Sequence, residues 1–262
     1  MNDLVGRQIY VCATPEETLT AAAQFLLQRT ATSHVNNGTF SLALSGGSTP
    51  RGLFRLLAAD PYRSQLDWES FRIFWGDERS VPPDHPESNF RMAKEALLDH
   101  VPLASHHVFR IEGEQSPEEA AALYEKVLQT QFQLSENLPP RFDLILLGMG
   151  PDGHTASLFP GNPVLKESHC LVAAPWVEKF HAHRITLTLP VLNAAKDVLF
   201  LVTGKDKAQA AKSVLQGPFD PDRYPAQLVK PHHGNTTWLM DKEAAGLLEK
   251  TVLRVWNHGI EE

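Results

Sequence analysis

An apolar run, Phe142-Asp143-Leu144-Ile145-Leu146-Leu147, breaks off at Gly148-Met149-Gly150-Pro151-Asp152-Gly153-His154, and no other stretch restricts the fold of this chain so tightly. A strand that apolar must be covered on both faces, which is the situation inside a parallel sheet flanked by helices. In open sheets of that kind, ligands bind beyond the carboxyl ends of the strands. The glycines, Asp152 and His154 stand at such an end, so the chemistry of the chain is expected there.

The remaining sequence repeats this pattern. Short apolar or alternating segments predict strands at 8–12, 40–44, 71–75, 107–110, 143–148, 184–189, 198–203 and 236–240. A capping box, Thr14-Pro15-Glu16-Glu17, opens a helix to about residue 29, and Ser116-Pro117-Glu118-Glu119 opens another to about 131. Further helices are predicted at 50–59 with Thr49 as N-cap, at 89–98 with Ser88 as N-cap, and at 205–215. A last helix, capped by Asp241, would carry the stripe Leu247, Leu248, Val252. Strands alternating with helices imply right-handed crossovers and an α/β fold, Rossmann-like, with a mainly parallel sheet and helices on both faces. Residues 218–234, rich in Pro, Asp and His, read as a long loop. With no internal repeat or interdomain linker, residues 1–262 are expected to form a single domain.

Charge and cysteine usage narrow the function classes. Lys and Arg number 24 against 31 Asp and Glu, and no basic block offsets the formal charge of −7, which argues against a nucleic-acid partner. An anionic small molecule needs only a local concentration of cations. No apolar run reaches membrane-spanning length, and Met1-Asn2-Asp3-Leu4-Val5-Gly6-Arg7 lacks the basic and apolar regions of a signal peptide, so a cytoplasmic protein with no membrane partner is expected. Cys12 and Cys170 stand far apart in no ligand spacing and read as buried free thiols. His181-x-His183 and His232-His233 lack supporting acids or thiols and are assigned to surface loops, with no metal site.

Four strand ends carry groups suited to chemistry. Ser45-Gly46-Gly47-Ser48-Thr49-Pro50 joins a strand to a helix, where glycines admit a ligand to the backbone and the helix N-terminus offers N–H groups to an anion. A tight turn before a capped helix would read the same way. The Gly-Lys-Ser/Thr ending of a nucleotide-triphosphate loop is missing. Trp75-Gly76-Asp77-Glu78-Arg79 puts three charged side chains at another strand end, an unusual place for pure packing, although a solvated turn is the commoner fate of such a triplet. Gly148 to Gly153 match the spacing of a dinucleotide fingerprint, but only residues 154–159 separate them from Pro160-Gly161, too few for the helix that motif opens. His154 then reads as a loop imidazole suited to proton transfer near neutrality, against the plainer alternative of a hydrogen-bonded structural histidine. Thr203-Gly204-Lys205-Asp206-Lys207-Ala208 opens a further helix and can aim a lysine at the same anion.

Taken together and in order, Leu44 to Pro50, Trp75 to Arg79, Ser88-Asn89, Leu147 to Pro160, Arg184-Ile185-Thr186-Leu187-Thr188 and Gly204-x-x-Lys207-Ala208 resemble the glucosamine-6-phosphate isomerase/6-phosphogluconolactonase family, in its lactonase branch. The resemblance implies hydrolysis of 6-phospho-D-glucono-1,5-lactone to 6-phosphogluconate in the pentose phosphate pathway, with no metal or organic cofactor. It implies His154 as the base, and Ser45, Gly46, Gly47, Ser48, Thr49 and Arg79 as the holders of the 6-phosphate. The family's spacing falls on Lys207 for the phosphate lysine, with Lys205 a second candidate. Asp152 or Asp77 would orient the imidazole, while Glu78 and Arg184 would complete the substrate pocket. A functional association with glucose-6-phosphate dehydrogenase goes with the same resemblance. The deaminase branch carries a glutamate five residues after the histidine, where this chain has Phe159, which favours lactone hydrolysis over an amino-sugar-phosphate deaminase or isomerase. A non-catalytic sugar-phosphate sensor is the other rival, and it would need the anion cradle but no base.

Overall fold

The structure, a computed structural model, describes residues 7–34, 38–135, 138–249 and 253–256. Its strands are β1 (Arg7–Cys12), β2 (Phe40–Leu44), β3 (Phe71–Trp75), β4 (Asp77–Arg79), β5 (Leu144–Leu147), β6 (Val172–Ala173), β7 (Trp176–Val177), β8 (Ala182–Leu187), β9 (Asp197–Val202), β10 (Asn235–Asp241) and β11 (Arg254–Val255). The α-helices are α1 (Pro15–His34), α2 (Ser48–Leu57), α3 (Tyr62–Gln65), α4 (Asn89–Ala96), α5 (Pro117–Gln131), α6 (Leu189–Leu192) and α7 (Ala208–Gln216).

Seven strands form one sheet in the order β11-β1-β10-β9-β5-β2-β3, and every pairing in it is parallel. All four residues of β5 and all six of β9 are buried. Because successive side chains of a strand point to opposite faces, this means that both faces of the sheet are covered, as the apolar run requires. From β2 the chain moves outward to β3, returns to β5 on the other side of β2, and then steps through β9 to β10. The strand order therefore reverses between β2 and β5, and the crevice at their carboxyl ends is a topological switch point. Ser41 and Asp143 fasten these two strands at their other ends: the Ser41 amide and hydroxyl donate to Asp143 Oδ2 at 2.8 and 2.7 Å.

Several expectations change on contact with the structure. Residues 107–110 form no ladder; a 3-10 turn at Ser105–His107 leads into them and only Val108 bridges to Ile73. Asp77–Arg79, read as a strand end with a solvated turn as the alternative, is a strand of its own, β4, because Arg184-Ile185-Thr186 pairs with it antiparallel in a second, smaller sheet of order β4-β8-β6. The segment predicted at 184–189 thus leaves the parallel sheet altogether. Asp241 does cap a turn, accepting from the Ala244 amide at 2.7 Å, but residues 242–247 stay in turns and no helix propagates; Val252 lies outside the described residues. Thr49 sits inside α2, whose N-cap is Gly47 at φ 107°, a left-handed conformation natural only to glycine. Of the two free thiols Cys12 is buried, whereas Cys170 is exposed, since it lies in the irregular segment before β6. Among the described residues, no helix is long and apolar enough to cross a membrane.

Candidate active site

A cavity of about 250 Å³ opens at the switch point. Its walls come from the segments that follow four strands: Ser45 to Thr49 after β2, Asp77 and Arg79 of β4 just beyond β3, Gly148 to Pro151 with His154 after β5, and Thr203 with Lys207 after β9. The hydroxyls of Thr49 and Thr203 lie 2.7 Å apart and tie two of these loops together.

The first wall is the amino end of α2. No side chain caps this helix, and the first intrahelical bond runs from the Arg51 amide to the Gly47 carbonyl at 3.2 Å. The amides of Ser48 and Thr49 therefore have no acceptor within the helix, and they sit at the positive end of its dipole. Gly46 is required for a steric reason: a Cβ there would lie 2.0 Å from Asn89 Oδ1. Asn89 is held against the loop because its side-chain amide donates to the Asp77 carbonyl at 2.9 Å.

The second wall carries the imidazole. His154 Nδ1 is hydrogen-bonded to Asp152 Oδ1, and the other carboxylate oxygen, Oδ2, accepts from Lys179 Nζ at 3.0 Å. Burial works to raise the Asp152 pKa, but the bond and charge of His154, reinforced by Lys179, outweigh it and hold the carboxyl well below its usual range. The ring stacks on Phe159 with centroids 4.2 Å apart. Its other nitrogen, Nε2, has no hydrogen bond among the described residues, and the side chain lines the cavity. The loop doubles back so tightly that the Gly150 amide donates to the His154 carbonyl at 2.9 Å, and a Cβ on Gly150 would lie 2.1 Å from the imidazole.

The structure separates the other predicted residues. Asp77 lines the cavity but does not touch the imidazole: its Oδ2 accepts from the buried Ser157 hydroxyl at 2.8 Å, so Asp152 alone engages Nδ1. Glu78 does not line the cavity. It is 2% exposed and spends its carboxylate on the start of α4, accepting from the amides of Asn89 at 2.7 Å and Phe90 at 2.8 Å and from the Ser88 hydroxyl at 3.1 Å. Burial pushes its pKa up, against the pull of those bonds. Lys207 lines the cavity, whereas Lys205 is exposed and does not. Arg79 reaches the Glu87 carbonyl, and Arg184 stands opposite it in the β4–β8 register without lining the cavity. Burial, then the neighbouring Arg79 charge, lowers the pKa of the Arg184 guanidinium.

Two residues were missed from sequence. Asn89 was marked only as part of a motif, and Lys179 not at all, because its partner Asp152 is 27 residues away across a loop and a hairpin. Among the described residues, no group of three or more His, Cys, Asp or Glu side chains is placed to hold a metal ion.

Known proteins resemble this chain in sequence and fold. Residues 13–238 match the family model of glucosamine-6-phosphate isomerases/6-phosphogluconolactonase. The chain is 43% identical to a 6-phosphogluconolactonase of Synechocystis over 208 residues, covering 79% of this chain and 84% of that one. It is 37% identical to a probable 6-phosphogluconolactonase 2 of Oryza sativa over 260 residues, 93% of this chain and 91% of the relative. Among solved structures, 6-phosphogluconolactonase from Trypanosoma brucei superimposes with a TM-score of 0.83 at 31% identity, over 93% of this chain and 99% of that one.

Proposed function

The chain belongs to the glucosamine-6-phosphate isomerase/6-phosphogluconolactonase family, and from that premise we propose that it hydrolyses 6-phospho-D-glucono-1,5-lactone to 6-phospho-D-gluconate with water activated by His154. One observation carries the reading. The imidazole, fixed at Nδ1 by Asp152 and with no hydrogen bond to Nε2 among the described residues, lines the same cavity as the amino end of α2 and Lys207. A proton acceptor and an anion cradle thus share one small space.

The 6-phosphate binds to the amides of Ser48 and Thr49, with the hydroxyls of the loop, Lys207 and Arg79 supplying the remaining donors and countercharge. Anchoring that end sets the lactone carbonyl against the base and removes part of the entropic barrier. A δ-lactone is an activated ester, so water attacks C1 directly while Nε2 accepts its proton. Asp152 keeps Nδ1 protonated, which leaves the lone pair on Nε2, and it stabilises the imidazolium that forms. The tetrahedral oxyanion is met by N–H groups of the glycine loops. It then collapses: the bond from C1 to the ring oxygen breaks, and the imidazolium returns the proton to that oxygen as it leaves.

Phe159 stacks on the imidazole where a deaminase would carry a carboxylate, which disfavours an amino-sugar-phosphate deaminase or isomerase. A pure sensor has no use for an oriented histidine. The same reading proposes a role in the oxidative branch of the pentose phosphate pathway, a functional association with glucose-6-phosphate dehydrogenase and a cytoplasmic location. The test is hydrolysis of freshly made lactone, measured against its spontaneous rate, by the wild type and His154→Ala. Loss of the base is expected to lower kcat about 10²- to 10⁴-fold. Unchanged turnover in the variant refutes the base, and binding without turnover in the wild type establishes the sensor.

A further inference from the structure

The hairpin formed by β7 and β8 ends in a 3-10 turn, Glu178–Phe180, closed by His181 in the left-handed region at φ 46°. Two successive side chains of this tip reach the base by different routes. Lys179 Nζ donates to Asp152 Oδ2 at 3.0 Å, and the Phe180 ring meets Phe159 edge-on with centroids 5.7 Å apart, Phe159 being the ring on which His154 stacks. Behind the tip the Arg184 guanidinium lies over Phe180 at 4.9 Å.

We propose that Lys179 is a positioning residue for this reaction, holding the Asp152 carboxylate in the one orientation that keeps Nδ1 of His154 engaged. The proposal rests on His154 being the base. A carboxylate with two equivalent oxygens can turn about its last bond and release the imidazole. Here each oxygen is assigned, Oδ1 to His154 and Oδ2 to Lys179, so turning breaks both bonds. An ion pair with a lysine as exposed as this one, 51% by side chain, stabilises a fold little. Its value lies in where the partner points. The charge also matters, because a cation beyond Asp152 offsets part of the attraction between that carboxylate and an imidazolium, and so favours the neutral ring that can accept a proton.

The other ionisable groups around the pair are few. Asp77 and Arg79 from β4 and Lys207 at the start of α7 line the same cavity, Arg184 stands behind Phe180, and Tyr224, itself under Arg223, packs on Gly153. Among the described residues, only Lys179 makes an ion pair with Asp152 besides His154.

The experiment compares the wild type, Lys179→Met and Lys179→Arg in the lactone hydrolysis assay from pH 5 to 8. For Lys179→Met, kcat is expected to fall about three- to tenfold with KM unchanged, as the imidazole loses its fixed placement. The acid limb of kcat/KM moves to higher pH, because the Asp152 carboxylate, no longer shared with a cation, acts on the imidazole alone. Lys179→Arg, which keeps a cation and its donors, restores both. Thermal midpoints of all three proteins are expected to match. A raised KM with an unmoved limb would mean that Lys179 grips substrate, and an unaltered profile would mean a surface pair of no consequence; each overturns the proposal. An acid limb present in the wild type but unmoved by Lys179→Met refutes this proposal alone. A wild type with no acid limb refutes the base, and the proposal with it.

Discussion

Replacing Gly150 by alanine puts the smallest available group into the space beneath the imidazole. The new Cβ would stand 2.1 Å from both Cε1 and Nδ1 of His154 and 2.6 Å from Asp152 Oδ1, whereas ordinary contact begins at 3.4 Å. The ring must therefore retreat by about 1.3 Å, the difference between 3.4 and 2.1 Å, and it cannot do so without leaving Asp152 or Phe159. Misplacement of a reacting group by about 1 Å can cost on the order of 100-fold in rate. That corresponds to about 2.7 kcal/mol of transition-state stabilisation. Because the atoms displaced are side-chain ends in a loop, the fold itself is expected to tolerate the change. Gly76→Ala is the control: it does not line the cavity, and a Cβ there would make only an ordinary contact, 3.5 Å from the Leu44 carbonyl oxygen. The assay is steady-state hydrolysis of the phospholactone, corrected for spontaneous opening, with a thermal melt of each variant. Gly150→Ala should lose about two orders of magnitude in kcat while Gly76→Ala stays near the wild type. Equal activity of the two variants would refute the claim that the imidazole works from this position.

Two further outcomes follow from the same geometry. Lys207→Ala should raise KM and weaken competitive inhibition by 6-phosphogluconate, while Lys205→Ala changes neither, because only Lys207 lines the cavity; equal effects would remove the distinction. Glu78→Ala should lower stability by on the order of 3 kcal/mol, measured by denaturant unfolding, since it strips acceptors from the buried amide of Asn89, the half-buried amide of Phe90 and the hydroxyl of Ser88. A neutral result would mean that water replaces the carboxylate there.

The strands most readily read from sequence were those whose apolar runs stop at a loop signal. β2 and β3 have the predicted bounds, because Ser45-Gly46-Gly47 and Gly76 end them abruptly. Residues 107–110 misled because Val108 and Phe109 are apolar for another reason: they pack beside β3 without joining a ladder, Phe109 stacking on Phe74 at 4.9 Å. The segment after Asp241 carries a sound capping signal, yet a cap only permits a helix: Ala244, Ala245 and Leu248 pack into the core while residues 242–247 stay in turns. In the site, local motifs announced the α2 loop and the Asp152-Gly153-His154 turn. What they could not announce was the division of labour among neighbours. Asp77, Glu78 and Arg79 are consecutive, but strand alternation sends Asp77 to Ser157 and the cavity while Glu78 is buried under α4. Lys179 sits in a segment with no periodicity to read, so its role depends wholly on how the hairpin folds over.

The reversal of strand order between β2 and β5 also bears on how the protein comes to be active. The anion cradle leaves β2 and the base leaves β5, two neighbours about a hundred residues apart in the chain. Neither half holds a rudimentary version of the other's function, and contacts this distant in sequence are slow to form. During refolding, turnover should stay at zero while helices and local turns are already in place, and then appear when β5 slots in beside β2. Enzymatic activity would thus serve as a clock for the closing of the central sheet, later than any optical signal of secondary structure.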